Sequence, residues 1–163
     1  TIPVIFIKDI EAGLNDSLQG GVIAGYKLDD VEVTLLDAKY NELKSTSMAY
    51  RIAANMAMKD GARKARPFLM EPIMKLEVVS PEEYTGDIIN DISQRRGKME
   101  NIDYRGELKV IDARIPLSEA FGYATAVRSM SQGRATHTLQ FSHYDLVPEA
   151  VMNRILGRIS GII

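Results

Sequence analysis

The amino-acid sequence predicts an α+β protein, and three observations carry that reading. Residues 71–142 repeat one strand–helix–strand pattern twice, with Pro81 opening and Gly97 closing the first helix and Pro116 and Gly133 doing the same for the second. Residues 1–69 read differently, as helix, strand, helix, with one clear strand and so a shortage of sheet. The 163 residues, 45% hydrophobic and 26% charged, are enough to bury a core without staples.

The elements follow from the N-terminus. Val4 to Leu18 forms a helix with Ile7, Ile10, Leu14 and Leu18 on one stripe, stopped by Gly20-Gly21. Gly25-Tyr26 marks a turn. Val31, Val33 and Leu35 alternate with Glu32 and Thr34, the pattern of a half-buried strand. Asp37 to Asn41 is a hairpin-like tip. Ser45, Thr46 and Ser47 are candidate N-caps for a helix from about Ser47 to Lys64. The first half of that helix is apolar nearly all round, through Met48, Ile52 and Met56, which predicts burial between other elements.

The repeated part starts with a strand from Ile73 to Val79. Ser80 to Glu83 reads as a capping box with proline at the first helical position. The helix carries Tyr84, Ile88 and Ile92 on one side and ends at Arg95-Arg96-Gly97; a strand follows through Met99 and Ile102. The second unit has a strand from Leu108 to Ile115 and then one amphipathic helix with Leu117, Phe121, Ala124 and Val127 on its apolar face. It closes with a stop at Gly133 and a strand from Ala135 to Phe141. Each helix has a glycine one turn in, Gly86 and Gly122, for which close helix–sheet packing is the expected compensation. Two such units in tandem give the ferredoxin-like split βαβ arrangement, a four-stranded antiparallel sheet with both helices on one face. Pro148 to Ile159 is a last amphipathic helix, striped by Val151, Ile155 and Ile159. The predicted boundaries are 1–69, 70–145 and 146–163.

Composition excludes several function classes. With no cysteine there are no disulfides or thiolate metal sites. The absence of a long apolar run or a signal-peptide pattern makes the expected location cytoplasmic, with no membrane partner. Gly20-Gly21-Val-Ile-Ala-Gly25 is followed by Tyr26-Lys27-Leu28, so it lacks the Gly-Lys-Ser/Thr of a phosphate loop. His137 and His143 are the only imidazoles, too few for a metal site, and both read as packed or solvated. Glu82-Glu83 and Asp87 with Asp91 suit early helical turns, where the dipole favours acids. No nucleophile has an adjacent base, so the chain is expected to be non-catalytic, with no cofactor and no metal. Tyr104 and Tyr123 are candidates for base stacking, though core or rim packing suits both better.

Two cationic features remain. The net charge of −2 does not describe the segment from Lys39 to Arg66, where Lys44, Arg51, Lys59, Arg63 and Lys64 outnumber Glu42 and Asp60. The second helix of the repeat leaves Arg128, Ser129, Gln132 and Arg134 at its carboxyl end. Planar guanidinium forks and neutral amides suit a phosphate backbone, but on spacing alone complementing the helix dipole is the favoured role.

Four segments together carry a resemblance: Leu69-Met-Glu-Pro-Ile-Met-Lys-Leu-Glu77, Pro81-Glu-Glu-Tyr-Thr-Gly-Asp87, Arg95-Arg-Gly97 and Phe121-Gly-Tyr-Ala-Thr125 with Arg128, Ser129 and Gln132-Gly-Arg134. Over essentially the whole chain it resembles the C-terminal part of the translation elongation factor G family. The resemblance implies a fragment: 1–69 similar to part of the fourth domain, with the fold of a small-subunit ribosomal protein, and 70–145 similar to the fifth. It also implies a parent GTPase that moves transfer and messenger RNA through the ribosome. GTP and Mg would be bound in an N-terminal domain outside this sequence, and the protein would act as a monomer. Arg128, Ser129, Gln132 and Arg134 would meet the sarcin–ricin loop of large-subunit RNA, near the stalk base. Lys39, Tyr40 and Asn41 would form the tip that enters the aminoacyl (decoding) site of the small ribosomal subunit. That tip commonly reads Asp-Gly-Ser-Tyr-His in the family and here reads Asp37-Ala-Lys-Tyr-Asn41. The alternatives are a recycling or ribosome-protection paralogue, or a ferredoxin-like regulatory or ligand-binding module.

Overall fold

The computed structural model describes residues 2–159. The chain divides into two compact units. Described residues before Met70 and those from Pro148 onward form the first; Met70–Val147 form the second.

In the first unit a single 3-10 turn, Val4–Phe6, leads into helix α1 (Ile7–Gly20). Gly21 ends it at φ 59°, with its N–H donating to the Ser17 carbonyl at 2.9 Å. Helix α2 (Ser47–Lys64) starts at Thr46, whose hydroxyl accepts from the Ala49 N–H at 3.1 Å. The two helices approach closely at Gly13, where any Cβ would collide with the Arg51 carbonyl, and the Asn55 amide donates to the Gly13 carbonyl at 3.3 Å. Phe6, Ile10 and Tyr50 form a small core, with the Phe6 and Tyr50 rings 4.7 Å apart.

Two expectations fail here. Val31, Val33 and Leu35 lie in irregular, exposed chain rather than in a strand. The face of α2 carrying Met48, Ile52 and Met56 is exposed, and only Tyr50 of that helix is buried. An alternating segment becomes a strand by pairing, and among the described residues of this unit the only bridge joins Ile23 to Tyr26. Helix α6 (Glu149–Ile159) belongs to the same unit and has no fully buried residue.

The second unit is the split βαβ arrangement. Strand β1 (Met70–Pro81), helix α3 (Thr85–Gln94) and strand β2 (Lys98–Arg105) make its first half. Strand β3 (Leu108–Pro116), helices α4 (Leu117–Ala120) and α5 (Tyr123–Met130), and strand β4 (Thr136–Leu146) make the second. The sheet order is β2-β3-β1-β4, antiparallel throughout. Leu76 and Val78 of β1, and Ile111, Ala113 and Ile115 of β3, meet Ile88 and Ile92 of α3 and Tyr123 and Val127 of α5 in one buried cluster. The helices therefore cover one face, and Lys75, Glu77, Asp112 and Arg114 alternate onto the other.

Three local expectations are corrected. The second helix is not continuous: Phe121 is extended (φ −62°, ψ 133°) and Gly122 is left-handed (φ 73°), so α4 and α5 are separate. The break rotates Phe121 out to 77% exposure, and the buried face is Tyr123 and Val127 instead. Neither Gly86 nor Gly122 has a neighbour where a Cβ would stand. Close packing explains neither of them; Gly122 is needed for its positive φ. Finally, Ser80 forms no capping box: it is buried, and its hydroxyl donates to the Pro81 carbonyl at 3.1 Å.

Candidate nucleic-acid interface

The carboxyl end of α5 closes in a Schellman motif. The Gly133 N–H donates to the Arg128 carbonyl at 2.8 Å and the Gln132 N–H to the Ser129 carbonyl at 3.4 Å. Gln132 takes the left-handed position at φ 52°, and Gly133 follows at φ 80°. The stop predicted at Gly133 is thus real, but the first left-handed residue is a glutamine. Ser131 pins the motif from beneath. It is buried, its hydroxyl donates to the Val127 carbonyl at 2.6 Å, and it accepts from the Ala135 N–H at 3.0 Å. Sequence reasoning passed over Ser131; the signal was a small hydroxyl residue four positions after the core residue Val127.

On this rigid turn Arg128, Ser129, Gln132 and Arg134 are all exposed. Among the described residues Arg128 has no ion pair, while Arg134 is engaged: its guanidinium pairs with the Glu83 carboxylate and lies 5.7 Å from the Tyr84 ring centroid. Arg128 is therefore the uncommitted cation of the corner.

The tip residues lie in the first unit. The Lys39 carbonyl accepts from the Tyr50 hydroxyl at 2.9 Å, and the Tyr40 ring lies 6.3 Å from Phe6. The Asn41 side chain accepts from the N–H groups of Leu43 (3.0 Å) and Lys44 (3.1 Å), closing an Asx-type turn. Its amide oxygen thus shapes the tip, and the Lys39 side chain points to solvent without an ion pair among the described residues. Within the basic segment, Arg51 pairs with Asp16 and Lys64 with Asp60, both at 2.7 Å.

Of the remaining candidates, Tyr123 is structural. It is fully buried, edge-on to His137 at 5.4 Å and beneath the Arg95 guanidinium at 5.2 Å, so it is closed to stacking on a base. Burial pushes its phenol well above the ordinary tyrosine range, the Asp91 charge adds to this, and Arg95 opposes it. Asp91 is tied to Arg95 at 2.8 Å. Tyr104 is exposed, with the Lys109 ammonium 5.4 Å from its centroid. His143 Nδ1 lies 2.9 Å from the Ser142 hydroxyl. Among the described residues no group of acids and histidines could hold a metal ion, and no helix is long and apolar enough to cross a membrane.

Comparison with known proteins fixes the family. The model of the elongation factor G C-terminus matches residues 68–155, and that of elongation factor G domain IV matches residues 1–66. The chain belongs to the elongation factor G family. It is 52% identical over 155 residues to elongation factor G of Thermotoga maritima, covering 95% of this chain and 22% of that protein. The Thermotoga neapolitana elongation factor G is 50% identical over the same length. A crystal structure from Thermus thermophilus superposes with a TM-score of 0.84 at 34% identity, covering 98% of this chain and 24% of that one. The chain thus spans under a quarter of the relatives it matches and corresponds to their C-terminal part. The family and the α+β fold expected from the motifs are both borne out.

Proposed function

We propose that this chain is the ribosome-binding C-terminal part of a GTPase that promotes movement of transfer and messenger RNA during protein synthesis. In this reading GTP and Mg are bound elsewhere in the parent protein, and the chain itself performs no chemistry. The α5 corner grips the sarcin–ricin loop of large-subunit RNA near the stalk base, and the Lys39–Tyr40–Asn41 tip enters the decoding site of the small ribosomal subunit. Family membership supports the setting. The observation that carries the anchor is the combination at α5 of an unpaired Arg128 with exposed Ser129 and Gln132 on a hydrogen-bonded turn. A fixed turn presents its donors without first losing chain entropy, and RNA loops are read by shape, phosphate contacts and hydrogen bonds. At the tip, Asn41 holds the turn and Lys39 supplies a charge suited to phosphate.

The test is binding of this chain to a synthetic sarcin–ricin hairpin RNA, followed by fluorescence anisotropy across a salt series. Arg128→Ala is expected to weaken binding about tenfold and to lower the log–log salt slope by about one. Gln132→Ala is expected to weaken binding with the slope unchanged. Wild-type affinity in both variants refutes the anchor.

A further inference from the structure

Beside the α5 corner, two cations are each paired with a carboxylate and a tyrosine. Arg134 pairs with Glu83 and lies 5.7 Å from the Tyr84 ring. Lys109 lies 2.9 Å from the Glu82 carboxylate and 5.4 Å from the Tyr104 ring. The topology brings these residues to one end of the sheet. Glu82 and Glu83 directly follow the end of β1, Arg134 precedes β4, and Lys109 sits in β3 opposite both Ser80 of β1 and Tyr104 of β2. In the Lys109 pair the acid is the outer member: the Glu82 side chain is 68% exposed and that of Lys109 18%. The Glu82 carboxylate also holds the Lys109 ammonium above the usual lysine range.

We propose that Lys109, Tyr84 and Tyr104 extend the α5 corner, through its member Arg134, into a larger phosphodiester-binding surface, and that Glu82 and Glu83 occupy the extension as internal stand-ins for phosphate. This rests on the RNA-binding reading above and adds residues and a control element to it. A carboxylate and a phosphate oxygen offer a guanidinium or an ammonium the same acceptor chemistry. An incoming RNA backbone therefore exchanges with the glutamates, and no bare cation has to be filled. The exposed tyrosine Tyr104 offers a ring face to an unstacked base next to the exchanged phosphate. The exchange makes the surface selective: a weakly placed phosphate does not outcompete a carboxylate already in position, whereas a backbone held by Arg128 and Gln132 does.

The experiment uses this 163-residue chain and the labelled sarcin–ricin hairpin. Glu83→Gln and Glu82→Gln are each expected to tighten binding about two- to fivefold at low salt, the scale of one exposed ion pair. The gain from Glu83→Gln disappears in an Arg134→Ala background, and the gain from Glu82→Gln disappears in a Lys109→Ala background. Glu107→Gln removes an equal charge without freeing a cation and is the control for long-range electrostatics. A gain that survives loss of the partner cation, or that Glu107→Gln reproduces, overturns the proposal, as does no gain at all. Wild-type binding that is weakened by Arg128→Ala but indifferent to both glutamate changes overturns this inference alone. A wild-type chain that does not bind the hairpin overturns the parent reading as well.

Discussion

Replacing Tyr123 with phenylalanine is expected to stabilise the Met70–Val147 unit, and increasingly so in alkali. The Tyr123 hydroxyl is buried with no hydrogen-bond partner among the described residues. A buried, unpaired hydroxyl costs about 1–3 kcal/mol. Phenylalanine removes the oxygen and keeps the ring, with its edge contact to His137 and its place beneath Arg95. The expected gain at neutral pH is about 1 kcal/mol, at the lower end because removing the oxygen leaves a small void. The alkaline part follows from linkage. The native phenol is held well above its ordinary range, chiefly by burial, whereas the unfolded phenol ionises near pH ~10. Above that pH the unfolded state binds fewer protons than the native state, so wild-type stability falls as pH rises, by about 1.4 kcal/mol per unit. Phenylalanine carries no such loss. Urea denaturation of both proteins, followed by circular dichroism at pH 7 and pH 11, measures the difference and cancels every other titrating group. The gap should widen by about 1.4 kcal/mol, or about 1 M in midpoint for a slope of about 1.4 kcal/mol/M. A variant weaker than wild type at pH 7, or a gap equal at the two values, refutes the reasoning.

Two further outcomes follow from the helix ends. Gly97→Ala places a methyl group against the Ile92 side chain, 2.6 Å from the Ile92 carbonyl and 2.9 Å from Ile115 Cγ2, so it should cost about 2–3 kcal/mol in urea denaturation; wild-type stability would show that the α3 turn gives way freely. Gln132→Gly relieves a left-handed non-glycine residue and should stabilise the unit by about 0.5–1 kcal/mol while weakening hairpin RNA binding; a loss of stability would show that φ 52° is not strained there.

Much of the fold was legible because proline and glycine punctuate it. Gly97, Pro116 and Gly133 bound the repeated elements in the structure as in the sequence. The break at Gly122 was not legible, because Leu117, Phe121, Ala124 and Val127 keep helical spacing straight through it. Periodicity does not register one residue turning left-handed, which re-aims everything after it. The expected strand at Val31–Leu35 failed for another reason: alternation records what a segment presents to a partner strand, and no such partner lies among the described residues. At the candidate site the residue types were legible and their engagement was not. Glu83, fifty-one positions away, holds Arg134, a separation at which one sequence carries no signal.

Helices α3 and α5 of the split βαβ unit end in the same turn, and the two turns use their left-handed residue differently. At α3 the Gly97 N–H donates to the Ile92 carbonyl at 2.8 Å and the Arg96 N–H to the Ser93 carbonyl at 3.1 Å, with Arg96 left-handed at φ 60°. At α5 the same bonds run from Gly133 and Gln132. Glycine suits that first left-handed position better than either residue found there, so each side chain must offset a strain of about 1 kcal/mol. Arg96 does so visibly: it pairs with the largely buried Glu71, and Glu119 stands 3.9 Å away. Gln132 has no such contact among the described residues and stands in solvent beside Arg128. One turn uses its strained residue to bind the domain together; the other holds an amide outward with nothing inside the unit to bind. Under the proposed function the amide left open at α5 is the group offered to RNA, and the Gln132→Ala binding measurement tests that assignment.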